Sequence, residues 1–323
     1  MKKAYSVLII GAGKIGAFFD TPESSELLTH AHAFSTHPGF KLTGFVDTDS
    51  RQAERASKIW GGEAFPTIAD AFSLHAVDVA VMAAPDALHF PLLKELADYP
   101  LELVFAEKPL AKRVDEAEEI IGLYKKRGIR LAVNYSRRFV PEFSALASEI
   151  ASGVFGKYIT GSGYYGKGII HNGTHMIDLL RFLLGEIKVA DLSGSICDHF
   201  EDDPTCSSRL DISGGNPFFM QGISSKLYTI FELDLFFERK RVRIVDSGFK
   251  IEKFDIRNSD MFAGYRYLQP GHTIETSLGN AMKHAVDQIY SCLIYDTSPI
   301  STGSEALSAL KIVCEVLGLD NKK

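Results

Sequence analysis

The sequence is poor in the features that mark secreted and membrane-embedded proteins. It has four cysteines in 323 residues and no Cys-x-x-Cys pair, so we expect buried thiols in a reducing compartment, not a disulfide framework. No stretch approaches the roughly 20 apolar residues of a membrane span. The N-terminal run MKKAYSVLIIGAG is too short and lacks the cleavage site of a signal peptide. We therefore expect a cytoplasmic protein with no membrane partner.

The sequence also lacks an excess of positive charge. The net charge is −6 and the isoelectric point is about 5.9, whereas a nucleic-acid-binding domain usually has a basic face. One locally basic run, ERKRVR at 238–243, alternates partly with apolar residues, which favours the solvated face of a strand. We predict no nucleic-acid partner.

The chain is long enough for two domains, and its pattern changes near residue 150. Before that point, short apolar runs alternate with helical patterns, which is typical of a doubly wound parallel sheet. After it, successive strand patterns predict a large, mostly antiparallel open sheet, followed by two helices. These strand patterns are at 157–166, 189–196, 218–225, 228–238, 240–246 and 249–256. We predict an α/β protein with a Rossmann domain at 1–128 and a second α/β domain at 129–323. The predicted strands of the first domain and its vicinity are 4–10, 41–47, 77–84, 102–107 and 129–135, with helices at 49–60 and 114–128; the final helices are 279–294 and 303–317.

A glycine-rich loop follows the first predicted strand. GAGKIG has the G-x-G-x-x-G pattern, and its position between a strand and a helix is the context that binds a dinucleotide. A carboxylate at the end of the second strand suits an adenosine ribose and repels a 2′-phosphate, which favours NAD over NADP, although Arg51 leaves NADP as an alternative. A glycine turn without a ligand is the other interpretation. The predicted cofactor residues here are Gly11, Gly13, Lys14, Ile15, Gly16 and Asp47.

The spacing within this motif departs from the usual one. Gly16 and Asp47 are 31 positions apart, where about 20 is usual. The excess predicts a loop at about 20–29, with the first helix resuming around Thr29. This loop either covers the cofactor and reaches the substrate or is a plain surface insertion. We predict no metal site at His30, His32 and His37, because acidic or thiol ligands at helical spacing are lacking.

Two further segments carry candidate chemistry. In GIIHNGTHMID, His171 and His175 are four positions apart, so a helix would place both imidazoles on one face, as in zinc hydrolases. Asn172 stands where those enzymes have a glutamate base, which weakens the metal interpretation. His175 is thus a proton carrier, a structural histidine or, least favoured, a metal ligand. Lys108, after the strand 102–107, either polarises a substrate oxygen or is an ordinary surface lysine.

The ordered set of motifs resembles the Gfo/Idh/MocA family, named after glucose–fructose oxidoreductase, inositol dehydrogenase and a rhizopine-catabolism protein. No single motif is decisive, but the resemblance covers nearly the whole chain. The motifs are GAGKIG, Asp47, AAPDALHFP (83–91), AEKPLA (106–111), NYSRRF (134–139), GTHMIDLL (173–180) and TGSEALSAL (302–310).

The resemblance implies a nicotinamide cofactor, a sugar-like small-molecule substrate and a homodimer or homotetramer built through the open sheet. It implies that Lys108 contacts the substrate hydroxyl and the nicotinamide ribose, that His175 is the general acid/base, and that Glu107 orients this region. The remaining predicted cofactor residues are Pro85, His89, Glu107 and Lys108, and the predicted substrate residues are Lys108, Tyr135, Arg138, His171, Asn172 and His175; no metal is expected.

Two positions depart from the family's pattern. His171 stands where the family usually has an aspartate, four residues before His175, and Asp86 stands where asparagine is common. Arg137 and Arg138 either bind an anionic substrate or form ordinary ion pairs. We expect hydride transfer between NAD(H) and a hydroxyl or carbonyl carbon of a sugar, cyclitol or nucleotide sugar. The alternatives are an enzyme that recycles bound NAD, such as an epimerase, isomerase or redox glycosidase, and a non-catalytic NAD-binding sugar sensor.

Overall fold

Six parallel strands form the sheet of the N-terminal half, and their order is that of a Rossmann fold. Residues 5–10, 79–82 and 103–106 are almost wholly buried, as expected for strands covered by helices on both faces. The short β3 was not predicted, because three residues give no periodic pattern. The strands are β1 (Tyr5–Ile10), β2 (Phe40–Val46), β3 (Glu63–Phe65), β4 (Val79–Met82), β5 (Leu103–Ala106) and β6 (Arg130–Val133), in the order β3-β2-β1-β4-β5-β6.

An eight-stranded sheet follows, mostly antiparallel as predicted; within this sheet, only β7–β10 is a parallel pair among the described residues. Two of its strands were missed. Residues 205–212 are rich in polar residues, and 266–275 is an exposed edge strand that tolerates Pro270. The strands are β7 (Tyr158–Tyr165), β8 (Ile187–Ile196), β9 (Thr205–Ile212), β10 (Asn216–Gly222), β11 (Phe231–Phe237), β12 (Lys240–Val245), β13 (Lys250–Asn258) and β14 (Arg266–Glu275), in the order β14-β13-β12-β11-β7-β10-β9-β8.

The helices of the described residues include the predicted ones, with each end within two positions of its predicted place. The helix starting at Val114 shows how local sequence sets such ends: acids occupy its first turn, bases its last, and Gly128 adopts a left-handed conformation (φ 72°) after it. The helices are α1 (His30–Thr36), α2 (Ser50–Trp60), α3 (Ile68–Leu74), α4 (His89–Leu96), α5 (Val114–Arg127), α6 (Ser136–Phe139), α7 (Pro141–Ala151), α8 (Thr174–Leu184), α9 (Ala281–Tyr295) and α10 (Gly303–Val316).

This computed structural model describes residues 4–319, which divide into two compact units. The first comprises the described residues up to Val140 together with Gly279–Leu307, and the second comprises Pro141–Leu278 with the described residues from Ser308 onward. The first unit thus includes β6 and α9, which lie beyond residue 128. The division into domains at 1–128 and 129–323 stays a prediction.

The structure also bears on the expectations about the cysteines, the basic run at 238–243 and membrane-spanning helices. All four cysteines are free, and three are buried, but Cys197 is exposed, so the expectation of buried thiols was wrong there. Arg241 and Arg243 of the basic run pair with Asp234 and Glu252 on the neighbouring strands, which offsets the positive charge of that run. Between residues 4 and 319, no helix is both long and apolar enough to cross a membrane.

Candidate functional site

The glycine loop after β1 is shaped by two close backbone approaches and one opening. At Gly11 (φ +96°) an added Cβ would lie 2.6 Å from the backbone of Ala83 and Ala84, and at Gly16 it would lie 2.1 Å from the carbonyl oxygen of Gly11. Gly13 differs, because its φ is −85° and an added Cβ would meet no atom within 4 Å. Neither backbone conformation nor protein packing requires glycine at 13. A phosphate that approaches the bare backbone would require it.

Asp47 ties the end of β2 to this loop. Its Oδ2 accepts a hydrogen bond from the backbone N–H of Ala12 at 2.9 Å, and its Oδ1 accepts one from Asp49 at 2.9 Å. The carboxylate therefore has a defined position beside the glycine turn. That position fits a carboxylate that binds an adenosine ribose, and the residues of the loop fit a dinucleotide.

The predicted insertion is real, and it is held by one buried carboxylate. After a single wide (π) turn at Lys14–Phe18 the chain leaves the helix, and α1 starts at His30 with Thr29 as its N-cap, which confirms that the helix resumes around Thr29. Asp20 accepts hydrogen bonds from the backbone N–H of Leu28 (2.6 Å) and Thr29 (3.2 Å) and from the Thr29 hydroxyl (2.6 Å), and its Oδ2 lies 2.9 Å from Nδ1 of His32.

The contacts of Asp20 also set its protonation. Burial alone would raise the pKa of this carboxyl, but the donors from Thr29, Leu28 and His32 outweigh burial and lower its pKa. His32 packs against Trp60 with ring centroids 5.0 Å apart, and the Trp60 indole donates to the carbonyl of Ala17 at 2.9 Å. The insertion is therefore anchored to both the glycine loop and α2.

Glu107, at the end of β5, meets a residue of α1. Oε1 of Glu107 lies 2.8 Å from Nε2 of His30 and accepts a hydrogen bond from Nδ2 of Asn134 at 2.7 Å. His30 is fully buried, and its ring stands edge-to-face on Phe105 at 5.1 Å. The sequence indicated neither this role of His30 nor that of Asn134, because residues so far apart along the chain share no recognisable pattern.

These contacts keep Glu107 ionised. Burial raises the pKa of the Glu107 carboxyl, but the hydrogen bonds from His30 and Asn134 and the positive charge of Lys108 together lower its pKa below the ordinary value. Lys108 is half-buried and precedes Pro109 through a cis peptide bond. The carboxylate of Glu107 and the ammonium group of Lys108 are thus neighbours in sequence, directly after the carboxyl end of β5. Ligands of open α/β sheets bind at such strand ends.

His89, predicted to bind the cofactor, forms a bridge within the protein. Its Nδ1 lies 2.6 Å from the carbonyl oxygen of Pro109 and its Nε2 lies 2.9 Å from that of Ala84, and the ring is fully buried. The bridge fixes the loop after β4 against the turn that follows Lys108. Pro85 and Asp86 on that loop are exposed. Cofactor contacts by Pro85 and His89 stay predictions.

The segment after β6 contributes buried polar residues. Tyr135 is 2% exposed and Arg138 is 5% exposed. Arg138 donates a hydrogen bond to Glu305 at 3.0 Å. The two side chains form an ion pair in which the arginine is buried. Substrate contacts by Tyr135, Arg137 and Arg138 stay predictions.

In the second unit, His171 and His175 do not lie on one continuous α-helix. His171 and Asn172 belong to a wide (π) turn, Ile169–Gly173, and His175 is the second residue of α8. Wide turns of this kind are frequent at functional sites. The His171 ring lies 5.2 Å from the ring of Phe200, and Asn172 donates from Nδ2 to the carbonyl of Gly166 at 3.0 Å. All three polar side chains are half-buried.

A loop from 198 to 205 holds this turn through two carboxylates. Asp203 accepts from the backbone N–H of Ile170 and of His171, each at 2.8 Å. Asp198 accepts from Lys167 N–H at 2.9 Å and from the Thr205 hydroxyl at 2.7 Å. Burial raises the pKa of Asp203 in spite of its donors, whereas the donors to Asp198 outweigh burial and lower its pKa.

Gly168 is required at the start of the same turn. Its φ is +81°, and an added Cβ would lie 2.1 Å from Oδ2 of Asp203. Across residues 4–319, no group of three or more histidine, cysteine, aspartate or glutamate side chains is arranged to hold a metal ion.

Comparison with known proteins agrees with this geometry. The fold and the glycine loop define a Rossmann protein of the dinucleotide-binding kind. Residues 5–135 match the sequence model of a family described as an oxidoreductase family with an NAD-binding Rossmann fold. Over these residues the chain is similar to the Gfo/Idh/MocA family of oxidoreductases. The match ends before His171 and His175.

Curated relatives share only part of their length with the chain. Inositol 2-dehydrogenase of Rubrobacter xylanophilus is 31% identical over 170 residues, which are 48% of this chain and 49% of that protein. The chain spans about half the length of the first curated relatives it matches.

Solved structures share the fold over almost the whole chain. The WlbA dehydrogenase from Bordetella pertussis, in complex with NADH and UDP-GlcNAcA, has a TM-score of 0.80 at 17% identity and covers 98% of this chain and 95% of its own. KijD10, a 3-ketoreductase from Actinomadura kijaniata in complex with NADP, has a TM-score of 0.74 at 15% identity, covering 98% of this chain and 97% of its own. At such identities the likeness concerns the fold.

Proposed function

We propose that the protein is an NAD(H)-dependent oxidoreductase acting on a CH–OH group or the corresponding carbonyl. The observation that carries this proposal is the opening at Gly13, because the protein itself gives no reason for glycine there. Asp47 is held in place by the hydrogen bonds that it accepts from the backbone N–H groups of Ala12 and Asp49. Its carboxylate is the proposed acceptor for the hydroxyls of the adenosine ribose. Gly11, Lys14, Ile15 and Gly16 complete the proposed cofactor loop.

The proposed cofactor is NAD and not NADP. A carboxylate at position 47 is suited to two ribose hydroxyls and repels a 2′-phosphate. Solved structures of the same fold contain either NADH or NADP, so the fold does not decide this choice and residue 47 carries the argument.

The chemical roles are assigned to two side chains. A bound nicotinamide supplies the acceptor or donor of the hydride. We assign to Lys108 the stabilisation of negative charge that develops on the substrate oxygen, and to His175 the removal or return of the hydroxyl proton. Each assignment rests on the family resemblance and on the half-buried position of the side chain.

The proposed substrate is a sugar, cyclitol or nucleotide sugar, with Tyr135, Arg138, His171 and Asn172 as proposed substrate contacts. The names of relatives support this class, since one acts as an inositol 2-dehydrogenase and one solved structure holds a UDP-sugar derivative. We further propose a cytoplasmic homodimer or homotetramer that uses the open sheet.

A substrate panel tests this function. Purified protein is incubated with NAD or NADH and with free sugars, cyclitols, uronic acids and nucleotide sugars, while absorbance of the reduced nicotinamide is recorded. A change that one compound class produces, and that His175→Ala abolishes, supports the proposal. Absence of NAD(H) and NADP(H) binding would contradict it. Binding without turnover across the panel would favour recycling of bound NAD or a sensor.

A further inference from the structure

His30 is a buried titratable side chain that the proposed chemistry does not use. It lies on α1, directly after the insertion, and its Nε2 is 2.8 Å from Oε1 of Glu107. The other ring nitrogen, Nδ1, is buried and has no hydrogen-bond partner among the described residues. Among the described residues, the His30 ring therefore hydrogen-bonds to one group, the Glu107 carboxylate.

The chemistry of the two groups sets the direction of the bond. An ionised carboxylate only accepts, so the proton lies on Nε2 of His30. The neutral ring with its proton on Nε2 leaves only a lone pair at the buried Nδ1, which costs less than an unpaired N–H. Asn134 donates to the same oxygen, Oε1, at 2.7 Å. Two donors from separate elements converge on one atom and define where the Glu107 carboxylate lies.

The insertion determines where His30 lies. Thr29 caps α1 by accepting from the His32 backbone N–H at 3.1 Å, and its hydroxyl donates to Asp20 at 2.6 Å. Asp20 also contacts His32, two residues beyond His30. The start of α1, and with it the His30 side chain, is thus fixed by the insertion and not by continuation of the helix that follows the glycine loop.

We propose that His30 is a positioning residue, which holds the ionised Glu107 beside Lys108, and that the segment 20–29 serves to present it. This inference rests on the proposed function, because Glu107 and Lys108 matter only if a cofactor and substrate bind at this strand end. The groups that face Glu107 are His30 from α1, Asn134 from the segment after β6, and Lys108 from its own segment. This role of the insertion does not require that it contact the cofactor.

The first test is a property of the free protein. Two-bond ¹H–¹⁵N spectra of the histidine rings report which nitrogen of His30 carries the proton, with His30→Gln used for assignment. We expect the Nε2–H form. A ring protonated on Nδ1 alone would overturn the inference. The pKa of Glu107, measured from its ¹³C carboxyl signal, rises in His30→Leu and returns toward the wild-type value in His30→Gln, whose amide reaches a place similar to that of Nε2.

The second test is NADH binding by fluorescence at several pH values between about 5.5 and 8. We expect His30→Leu to weaken binding about fivefold at neutral pH and more at the acidic end, because Glu107 then takes up a proton more readily. His30→Gln restores binding to within about twofold, and the matched change His37→Gln at the end of α1 leaves it unchanged. A structural effect alone would weaken binding equally at every pH and would not be reversed by glutamine.

The outcomes separate the two proposals. If the wild type binds NADH and a folded His30→Leu binds it equally well, the inference is wrong and the proposed function stands. If His30→Leu does not fold, Asn134→Leu, which removes the other donor to Oε1, gives the same comparison. If the wild type binds neither NADH nor NADPH, the proposed function fails and takes the positioning role with it, whatever the ring spectra show.

Discussion

Asp203 holds the backbone of His171. Its two carboxylate oxygens accept from the consecutive N–H groups of Ile170 and His171, each at 2.8 Å. The wide turn that carries His171 therefore depends on a residue 32 positions away. His171, which stands where the family that the sequence resembles usually has an aspartate, is thus held through its backbone by the carboxylate of Asp203.

Asp203→Asn should destabilise the second unit. Asparagine keeps one acceptor and turns an N–H₂ group toward a backbone donor, so we expect a loss of about 2 kcal/mol in the free energy of unfolding. Urea denaturation followed by circular dichroism measures this, and Asp202→Asn, an exposed neighbour, is the control. Equal stability of the two variants would show that the bonds to Asp203 contribute little.

Gly13→Ala should weaken cofactor binding without changing stability, whereas Gly11→Ala should lower stability. Alanine at 13 meets no protein atom within 4 Å, so the thermal midpoint should stay unchanged while NADH affinity falls at least about tenfold, because the methyl group occupies the approach of the pyrophosphate. Alanine at 11 clashes with the backbone of Ala83 at 2.6 Å and should lower stability by at least about 2 kcal/mol. Undiminished NADH binding in Gly13→Ala would remove the main support for the proposed cofactor site.

Asp47→Asn should change the cofactor preference. Removal of the negative charge reduces repulsion of a 2′-phosphate, so the ratio of NADPH to NADH affinity should rise about tenfold. The two dissociation constants are measured by fluorescence for the wild type, for Asp47→Asn and for Glu54→Gln, an exposed change on α2. A ratio that stays constant would place the ribose away from residue 47.

Glu107→Gln should lose stability in a pH-dependent way. The pKa of Glu107 is lowered below its ordinary value of 4.5, so the ionised group stabilises the fold above about pH 4.5, and this contribution is lost as the pH falls through the folded-state pKa. The difference in unfolding free energy between wild type and variant should be about 2 kcal/mol at pH 7 and should shrink below pH 4.5. Glu95→Gln, exposed on α4, should show no such difference, and a gap that widens in acid would contradict the assignment.

Lys108→Ala and His175→Ala should each reduce turnover at least about 100-fold on the compound that the panel identifies. In His175→Ala, NADH affinity should stay within about twofold of wild type, because this residue is assigned to proton transfer. In Lys108→Ala, the loss of turnover should exceed any loss of NADH affinity. Steady-state kinetics and fluorescence titration measure the two quantities separately. Full activity in either variant would refute the role given to that residue.

Local sequence determined much of the fold, because its information is periodic or short-range. Buried strands such as 5–10 and 103–106 are continuous apolar runs, the acids and bases of α5 mark its ends, and the glycine loop was recognisable between its strand and helix. The excess spacing between Gly16 and Asp47 predicted the insertion and the restart of the helix near Thr29, since both follow from chain length and capping chemistry.

Only the tertiary structure decided which distant side chains meet. Glu107, at the end of β5, meets His30, which is 77 positions earlier in the chain, and Asn134, which is 27 positions later. In the second unit, a loop brings Asp203 to the backbone of His171. A single hydrogen bond between remote residues leaves no periodic trace in a sequence, because it constrains identities without constraining spacing. For the same reason the sequence showed three histidines at 30, 32 and 37, while the fold distinguished a partner of Glu107 from a partner of Asp20.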